Sequence, residues 1–273
     1  REGQLDLVKA SITGSILGNL LLVLGFGLLL GGVKNGIQSF DRRTAALNAT
    51  MLVLAVVALL IPSVFTQAIE EATHDLIAES FLSEGIAIVM IVLYGLSVLY
   101  AFSARDDRLA REAAHAPKWS VGLALGVLLG ATAGVAMMSE LLVGAVEHVT
   151  ETLGLSEFFI GIIVIPLIGN VAEHLAAVQV AIKNRMELSL AISLGSSLQI
   201  ALFVAPVLVF ISLLFDPGNP LLLSFTLLEL VALFSASLIA ALVALDGESN
   251  WLEGAQLRAV YLLVGLGFFF LPG

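Results

Sequence analysis

The chain has 273 residues, of which 59% are hydrophobic and only 12% charged, with a net charge of −10 and a mean hydropathy of +1.05. Soluble domains are about 45–50% apolar and about 25% charged, so a soluble enzyme or binding module is excluded, and the absence of a basic, aromatic-interleaved stripe excludes nucleic acid as a partner. There is no cysteine, which removes disulfides, thiolate metal sites and cysteine nucleophiles.

Eight apolar stretches approach the ~20 residues that a bilayer-spanning helix needs. In chain order they lie at about 11–31, 45–65, 83–102, 119–149, 157–182, 189–215, 221–245 and 257–271. The first lacks the small-residue cleavage site of a signal peptide and is read as a span. The fourth exceeds one span, so it is expected to tilt or to project from the membrane. The last is short, and its boundaries are the least defined. The fold expected is therefore an all-α polytopic membrane protein.

Charge sets the orientation. The loops at 32–44, 103–118 and 183–188 carry Lys34, Arg42, Arg43, Arg105, Arg108, Arg111, Lys118, Lys183 and Arg185, whereas those at 66–82, 150–156 and 216–220 carry no Lys or Arg. The positive-inside bias places the first set in the cytoplasm. The second set bears Glu70, Glu71, Asp75, Glu79, Glu151 and Asp216 and is placed outside. Arg1 and Lys9 fall on the outer side, against the trend.

An internal repeat appears at an offset of 181. Residues 1–25 and 182–206 share Leu7/Leu188, Ala10/Ala191, Gly14/Gly195, Ser15/Ser196, Leu17/Leu198, Leu21/Leu202 and Val23/Val204. The charge pattern gives the two copies opposite orientations. An inverted repeat is a recurring plan of secondary transporters, with the substrate site near the midplane between the halves. The division expected is 1–102 as the remainder of a first repeat, 103–118 as a cytoplasmic linker and 119–273 as the second repeat. A first-repeat mate of 157–182 would end near residue 1, and 119–149 has none, so the sequence is expected to begin within the first half, short of at least two helices. The linker mixes Asp106, Asp107 and Glu112 with Arg105, Arg108 and Arg111 and reads as a solvated cytoplasmic helix rather than a calcium sensor.

Two spans hold ionisable groups at depth, where a charge is costly and marks a cavity or partner. In Pro166-Leu167-Ile168-Gly169-Asn170-Val171-Ala172-Glu173-His174, Asn170, Glu173 and His174 stand at i, i+3 and i+4 on one helical face. Pro166 frees a backbone carbonyl one turn earlier, and Gly169 admits a close neighbour. Calcium takes six to eight hard oxygens of this kind. The alternative is a polar hydrogen-bond cluster between helices. A neutral imidazole is a poor calcium ligand but a ready proton acceptor, so His174 is read as proton-linked or orienting. Gly195-Ser196-Ser197-Leu198-Gln199 and its mate Gly14-Ser15-Ile16-Leu17-Gly18-Asn19 bring small hydroxyls and amides to the site, with Ser15, Asn19, Ser196, Ser197 and Gln199 as lining residues; simple helix packing is the alternative for the serines. Glu140, Glu147 and Glu151 form a stripe at i, i+7 and i+11. Glu140 is read as site-lining, and Glu147, His148 and Glu151 as an access path from outside.

These blocks resemble a family. Gly169-Asn170-Val171-Ala172-Glu173-His174 followed by Gly195-Ser196-Ser197-Leu198-Gln199 is similar to the second-repeat signature of calcium/proton antiporters, the CAX branch of the cation/calcium exchanger superfamily. Gly14-Ser15-Ile16-Leu17-Gly18-Asn19 resembles the first-repeat signature. The resemblance implies two inverted five-helix repeats, and it makes Glu173 one of two essential cation-binding glutamates. The other, by the offset, falls before residue 1. It implies calcium and protons as substrates, a lipid bilayer as surroundings, no cofactor and no enzymatic activity. Short loops favour a prokaryotic cell membrane.

The mechanism expected is alternating access in which calcium and protons compete for the same carboxylate oxygens. The helices of Gly14 and Gly195 would slide against the rest. Two rivals stand beside it. A sodium/calcium exchanger would share the repeats, although sodium coupling gives no reason for His174. A cation channel with a carboxylate filter would ordinarily draw its symmetry from an oligomer. The His-Glu-x-x-His spacing of a metalloprotease is absent.

Overall fold

The computed structural model describes residues 2–72, 76–103 and 119–270. Helix α1 (Glu2–Leu17) continues through a π-helical segment, π1 (Gly18–Val23), into α2 (Leu24–Asn35). A two-residue strand β1 (Gln38–Ser39) leads to the long helices α3 (Arg42–Ala72) and α4 (Leu76–Ser103). After residues 104–118, which contain most of the expected linker and lie outside the described residues, α5 (Val121–Leu153) runs to a broken helix. That helix comprises α6 (Glu157–Phe159), π2 (Ile160–Val164), α7 (Ile165–Gly169) and α8 (Val171–Ile182). Next come α9 (Met186–Gln199), π3 (Ile200–Val204) and α10 (Ala205–Phe215), then α11 (Leu227–Ala244), β2 (Glu248–Ser249) and α12 (Trp251–Phe269). Among the described residues, seven helices are long and apolar enough to cross a membrane, or eight if the broken helix counts as one span.

All eight expected spans are present, with altered edges. The acidic outer loop expected at 66–82 is mostly helical, because α3 runs to Ala72 and α4 starts at Leu76; its Glu- and Ala-rich sequence favours helix. Glu79 is accordingly buried within α4 rather than lying in a loop. The span expected to begin at 221 begins at Leu227. There Thr226 and Glu229 form a capping box, which satisfies orphan N–H groups reciprocally and fixes a helix start. Residues 221–225 are apolar but not helical, and side chains hold their backbone. Leu223 N donates to Ser83 Oγ at 3.3 Å, and Phe225 N donates to Ser63 Oγ at 2.9 Å. Ser63→Ala strands a buried N–H and is expected to cost about 1–3 kcal/mol, seen as a lowered melting temperature of the detergent-solubilised protein. The last span begins six residues before the expected start, because Asn250 caps α12 in a second capping box.

The two copies of the repeat run in opposite directions. Helix α1 reaches the segment that follows α10: Lys9 Nζ donates to Ser224 Oγ at 3.4 Å. The start of α9 lies against α2, where Ser189 packs on Gly27. Two of the loops that carry basic residues, 32–44 and 183–188, also meet at one end. Gln38 Nε2 donates to Ala181 O at 2.9 Å and to Asn184 Oδ1 at 3.0 Å, and β1 pairs antiparallel with β2, Gln38 opposite Ser249.

Both repeat copies carry a π-helical segment at the same place: 18–23 shifted by 181 becomes 199–204, and π3 occupies 200–204. Pro206 follows π3 and Pro166 follows π2. Proline withholds an N–H from the i−4 ladder, and a π-turn re-registers the helix around the loss. Gly25 holds the position of Pro206 in the first copy.

In a bundle embedded in lipid, close packing of small residues takes the place of the hydrophobic drive. Gly25 of α2 faces Gly254 of α12, whose added Cβ would come 2.6 Å from Gly25 O. One turn beyond Gly254, Arg258 lays its guanidinium 3.9 Å from the centre of the Phe26 ring, a cation–π contact strengthened away from water.

Candidate functional site

A close helix crossing lies beside the polar blocks. A Cβ on Gly14 would collide with the carbonyl oxygen of Ile162, reaching 2.6 Å from Ile162 C and 2.7 Å from Pro166 Cγ. Gly161 is the reciprocal notch, with Leu7 Cδ1 at 2.9 Å and Ala10 Cβ at 3.0 Å from an added Cβ. The first-repeat helix therefore rests directly on the backbone of π2 and α7. Further along, Gly27 packs against Ala181. Between these two contacts the chains run in the same direction, and π1, which holds Asn19, packs against α8, which follows Asn170. Helix α9 runs the other way from the Gly27–Ser189 contact. Eight residues along each, Ser197 reaches the level of Asn19, and α9 packs against π1 there.

At that level the broken helix turns. It bends by 59° between α7 and α8, and Asn170 at the break adopts φ −102°, ψ 15°. The span expected at 157–182 is thus broken at Asn170, which takes the N-cap position of α8, and Glu173 and His174 stand in its first turns. Asn170 N still bonds Pro166 O at 3.0 Å, and His174 N bonds Asn170 O at 2.9 Å, so the backbone stays hydrogen-bonded through the bend. The causes are local. Pro166 and the π-turn before it disturb the ladder, and Gly169 adds no side chain to stiffen it.

The side chains at this depth are polar and under-used. Asn19 is 1% exposed, and its Nδ2 has no hydrogen-bond partner among the described residues. The same holds for Asn170 Nδ2 and His174 Nε2. Buried polar groups are ordinarily paired, and these three unpartnered atoms stand on packed elements, π1 and the start of α8. Ser15 and Ser196 are part-buried. Ser197 is fully buried, and its hydroxyl is committed to Ser193 O at 2.9 Å; it lines the site less freely than its neighbour.

Glu173 differs from expectation. It was read as a buried carboxylate, but it is exposed, as are Val171, Ala172, Leu175 and Ala176. It stands in the first turn of α8, just beyond the bend. Gln199 is also exposed. The side chains of Glu140, Glu147, His148 and Glu151 lie outside the described residues, as does that of Ser139. Among the described residues there is no cluster of three or more His, Cys, Asp or Glu. A cation here would meet one carboxylate supplemented by amide and hydroxyl oxygens, a hard-oxygen set of the type calcium prefers.

One buried carboxylate had not been singled out. Glu229 on α11 is 2% exposed and accepts from Thr13 Oγ1 at 2.9 Å. In sequence it is merely the fourth residue of a Thr-x-x-Glu helix start.

Comparison with known proteins decides the family. Residues 1–103 and 123–270 match the family described as sodium/calcium exchanger protein. The chain belongs to the sodium/calcium exchanger family. Within it, this exchanger is 43% identical to a Ca2+/H+ antiporter of Aphanothece halophytica, over 100% of the chain and 76% of the relative. It is 42% identical to the Ca2+/H+ antiporter ChaA of Bacillus subtilis, over 99% of the chain and 77% of the relative. Among solved structures, native YfkE superposes with a TM-score of 0.82 at 42% identity, over 99% of the chain and 77% of that structure. An H+/Ca2+ exchanger, CAX, superposes with a TM-score of 0.73 at 15% identity, over 97% and 69%, and supports the fold. The resemblance to the calcium/proton antiporter branch is thus borne out, and these relatives are transporters rather than enzymes.

Proposed function

We propose that this exchanger is an integral membrane antiporter of prokaryotic type that moves calcium, or a similar divalent cation, against protons by alternating access. The observation that carries the reading is the bend at Asn170 together with the unpartnered polar atoms of Asn19, Asn170 and His174, on elements that pack against one another; Glu173 stands in the first turn beyond the bend. Glu173 and Asn170 are the cation ligands in this reading. Ser15, Asn19, Ser196, Ser197 and Gln199 line the site, and His174 orients or relays the proton. Glu140 is proposed as lining, with Glu147, His148 and Glu151 as the outer access path. The division into 1–102, a linker at 103–118 and 119–273 belongs to the same proposal, supported by the π-helical segments that recur at the 181-residue offset.

Calcium binds the ionised carboxylate, and protonation removes the charge that holds it, so each ion releases the other. Because Gly14 is set into the backbone of π2 and α7, sliding of the first-repeat helix would carry that segment with it; the moving unit is then the pair rather than α1 alone. Calcium uptake into vesicles separates proton from sodium coupling. An imposed pH gradient without sodium is expected to drive uptake, and uptake driven only by a sodium gradient would move the assignment to sodium/calcium exchange.

A further inference from the structure

The geometry points to Glu229 and Thr13 as a positioning pair that sets the height and rotation of the first-repeat helix at the cation site. This inference rests on the reading of Ser15 and Asn19 as site-lining.

Thr13 immediately precedes Gly14 and Ser15 and is 0% exposed. Its hydroxyl donates to Glu229 Oε1 at 2.9 Å, 216 positions along the chain. The other carboxylate oxygen, Oε2, accepts from Thr226 N at 2.9 Å and from Thr226 Oγ1 at 2.9 Å. One oxygen is thus enough to close the capping box that starts α11, and the second is given to Thr13. Lys9 lies one turn before Thr13 on the same face of α1, and its ammonium bonds Ser224, two residues before the same cap. That segment is anchored in turn to Ser63 and Ser83. The first-repeat helix is therefore tied through two side chains to a fixed segment of the second repeat, on the outer side of the site.

A valine would fill the space of Thr13 without burying a hydroxyl, which costs free energy unless the hydroxyl is hydrogen-bonded. Packing alone gives no reason for threonine. The bond to Glu229 does, because it fixes the helix about its own axis. Gly14, the next residue, lies flush on the Ile162 carbonyl, so the rotation of the helix at this point also sets how that crossing is seated. A small rotation released at Thr13 is passed to Ser15 and Asn19, which lie within two turns. Partners that orient ion ligands without touching the ion typically change affinity by about 10–100-fold when removed.

The test is radiolabelled calcium uptake by the intact protein in vesicles under a pH gradient, normalised to folded transporter. Thr13→Val is expected to raise the calcium KM roughly tenfold, with Vmax little changed, and Thr13→Ser to restore the wild-type KM. Glu229→Gln keeps the volume but cannot accept from all three donors, and it is expected to raise KM to a similar extent. The double variant should be no worse than either single one, as for residues acting as a unit. A wild-type KM in Thr13→Val overturns the inference, even with less folded protein, and so does equal impairment of the Ser and Val variants. Should Thr13→Val fail to fold, a wild-type KM in Glu229→Gln overturns it equally. Glu173→Gln in the same vesicles separates the two failures: an inactive Glu173→Gln beside a wild-type Thr13→Val sinks this inference alone, and an active Glu173→Gln sinks the site reading beneath it.

Discussion

Gly14→Val is expected to abolish calcium uptake and to lower the melting temperature of the protein. A side chain at this position must enter the volume of the Ile162 carbonyl and Pro166 Cγ. Neither can swing aside. The carbonyl belongs to the backbone of π2, and the proline ring is locked to its own backbone. The helices must separate, and overpacking a tight contact typically costs about 1–3 kcal/mol. The functional loss should exceed the stability loss, because the crossing sets the spacing between Ser15 on one helix and the bend at Asn170 on the other. Displacements of about 1 Å are enough to cost about a hundredfold at a reacting centre, and ion coordination has similar tolerances. Gly14→Ala should give the same pattern in milder form. Uptake and melting temperature unchanged in Gly14→Val would mean that the crossing is looser than the geometry requires.

The spans were legible because a bilayer demands about twenty apolar residues in a row, and the loops because lysine and arginine fall on alternate sides. Their edges were not, because caps rather than hydropathy set them. Thr226 and Asn250 start helices where a hydropathy reading places a start several residues away, and residues 221–223 are as apolar as any helix yet are not helical, with Ser63 and Ser83 bonding the backbone of 223 and 225. Pro166 and Pro206 announce the π-segments before them. Gly18–Val23 adopts the same turn without a proline, and nothing in its sequence apart from the repeat marks it. The bend at Asn170 could be read only in part, as a proline and a glycine near a polar residue. The role of Glu229 was hidden because its partner Thr13 is 216 positions away. The exposure of Glu173 depends on what covers its face, and that is a property of packing rather than of its own helix.

Glu173→Gln is the second large expected effect. The substitution keeps the shape and one oxygen but removes the formal charge. Calcium sites span roughly five decades of affinity according to ligand charge and rigidity, and here the described residues offer one carboxylate at the level of the bend. Loss of that charge should depress calcium transport about a hundredfold or more. It should also uncouple proton movement, because an amide can neither take nor yield the proton. The protein should fold normally, since Glu173 is exposed and its removal breaks no packing contact.

The most direct measurement is the collapse of a preset pH gradient across vesicles containing the protein, followed with a pH-sensitive dye as calcium is added in the absence of sodium. Wild type is expected to dissipate the gradient in proportion to the calcium added, and Glu173→Gln to leave it intact. A gradient that calcium does not touch in wild type, or that collapses equally in the variant, would contradict proton-coupled calcium exchange through Glu173.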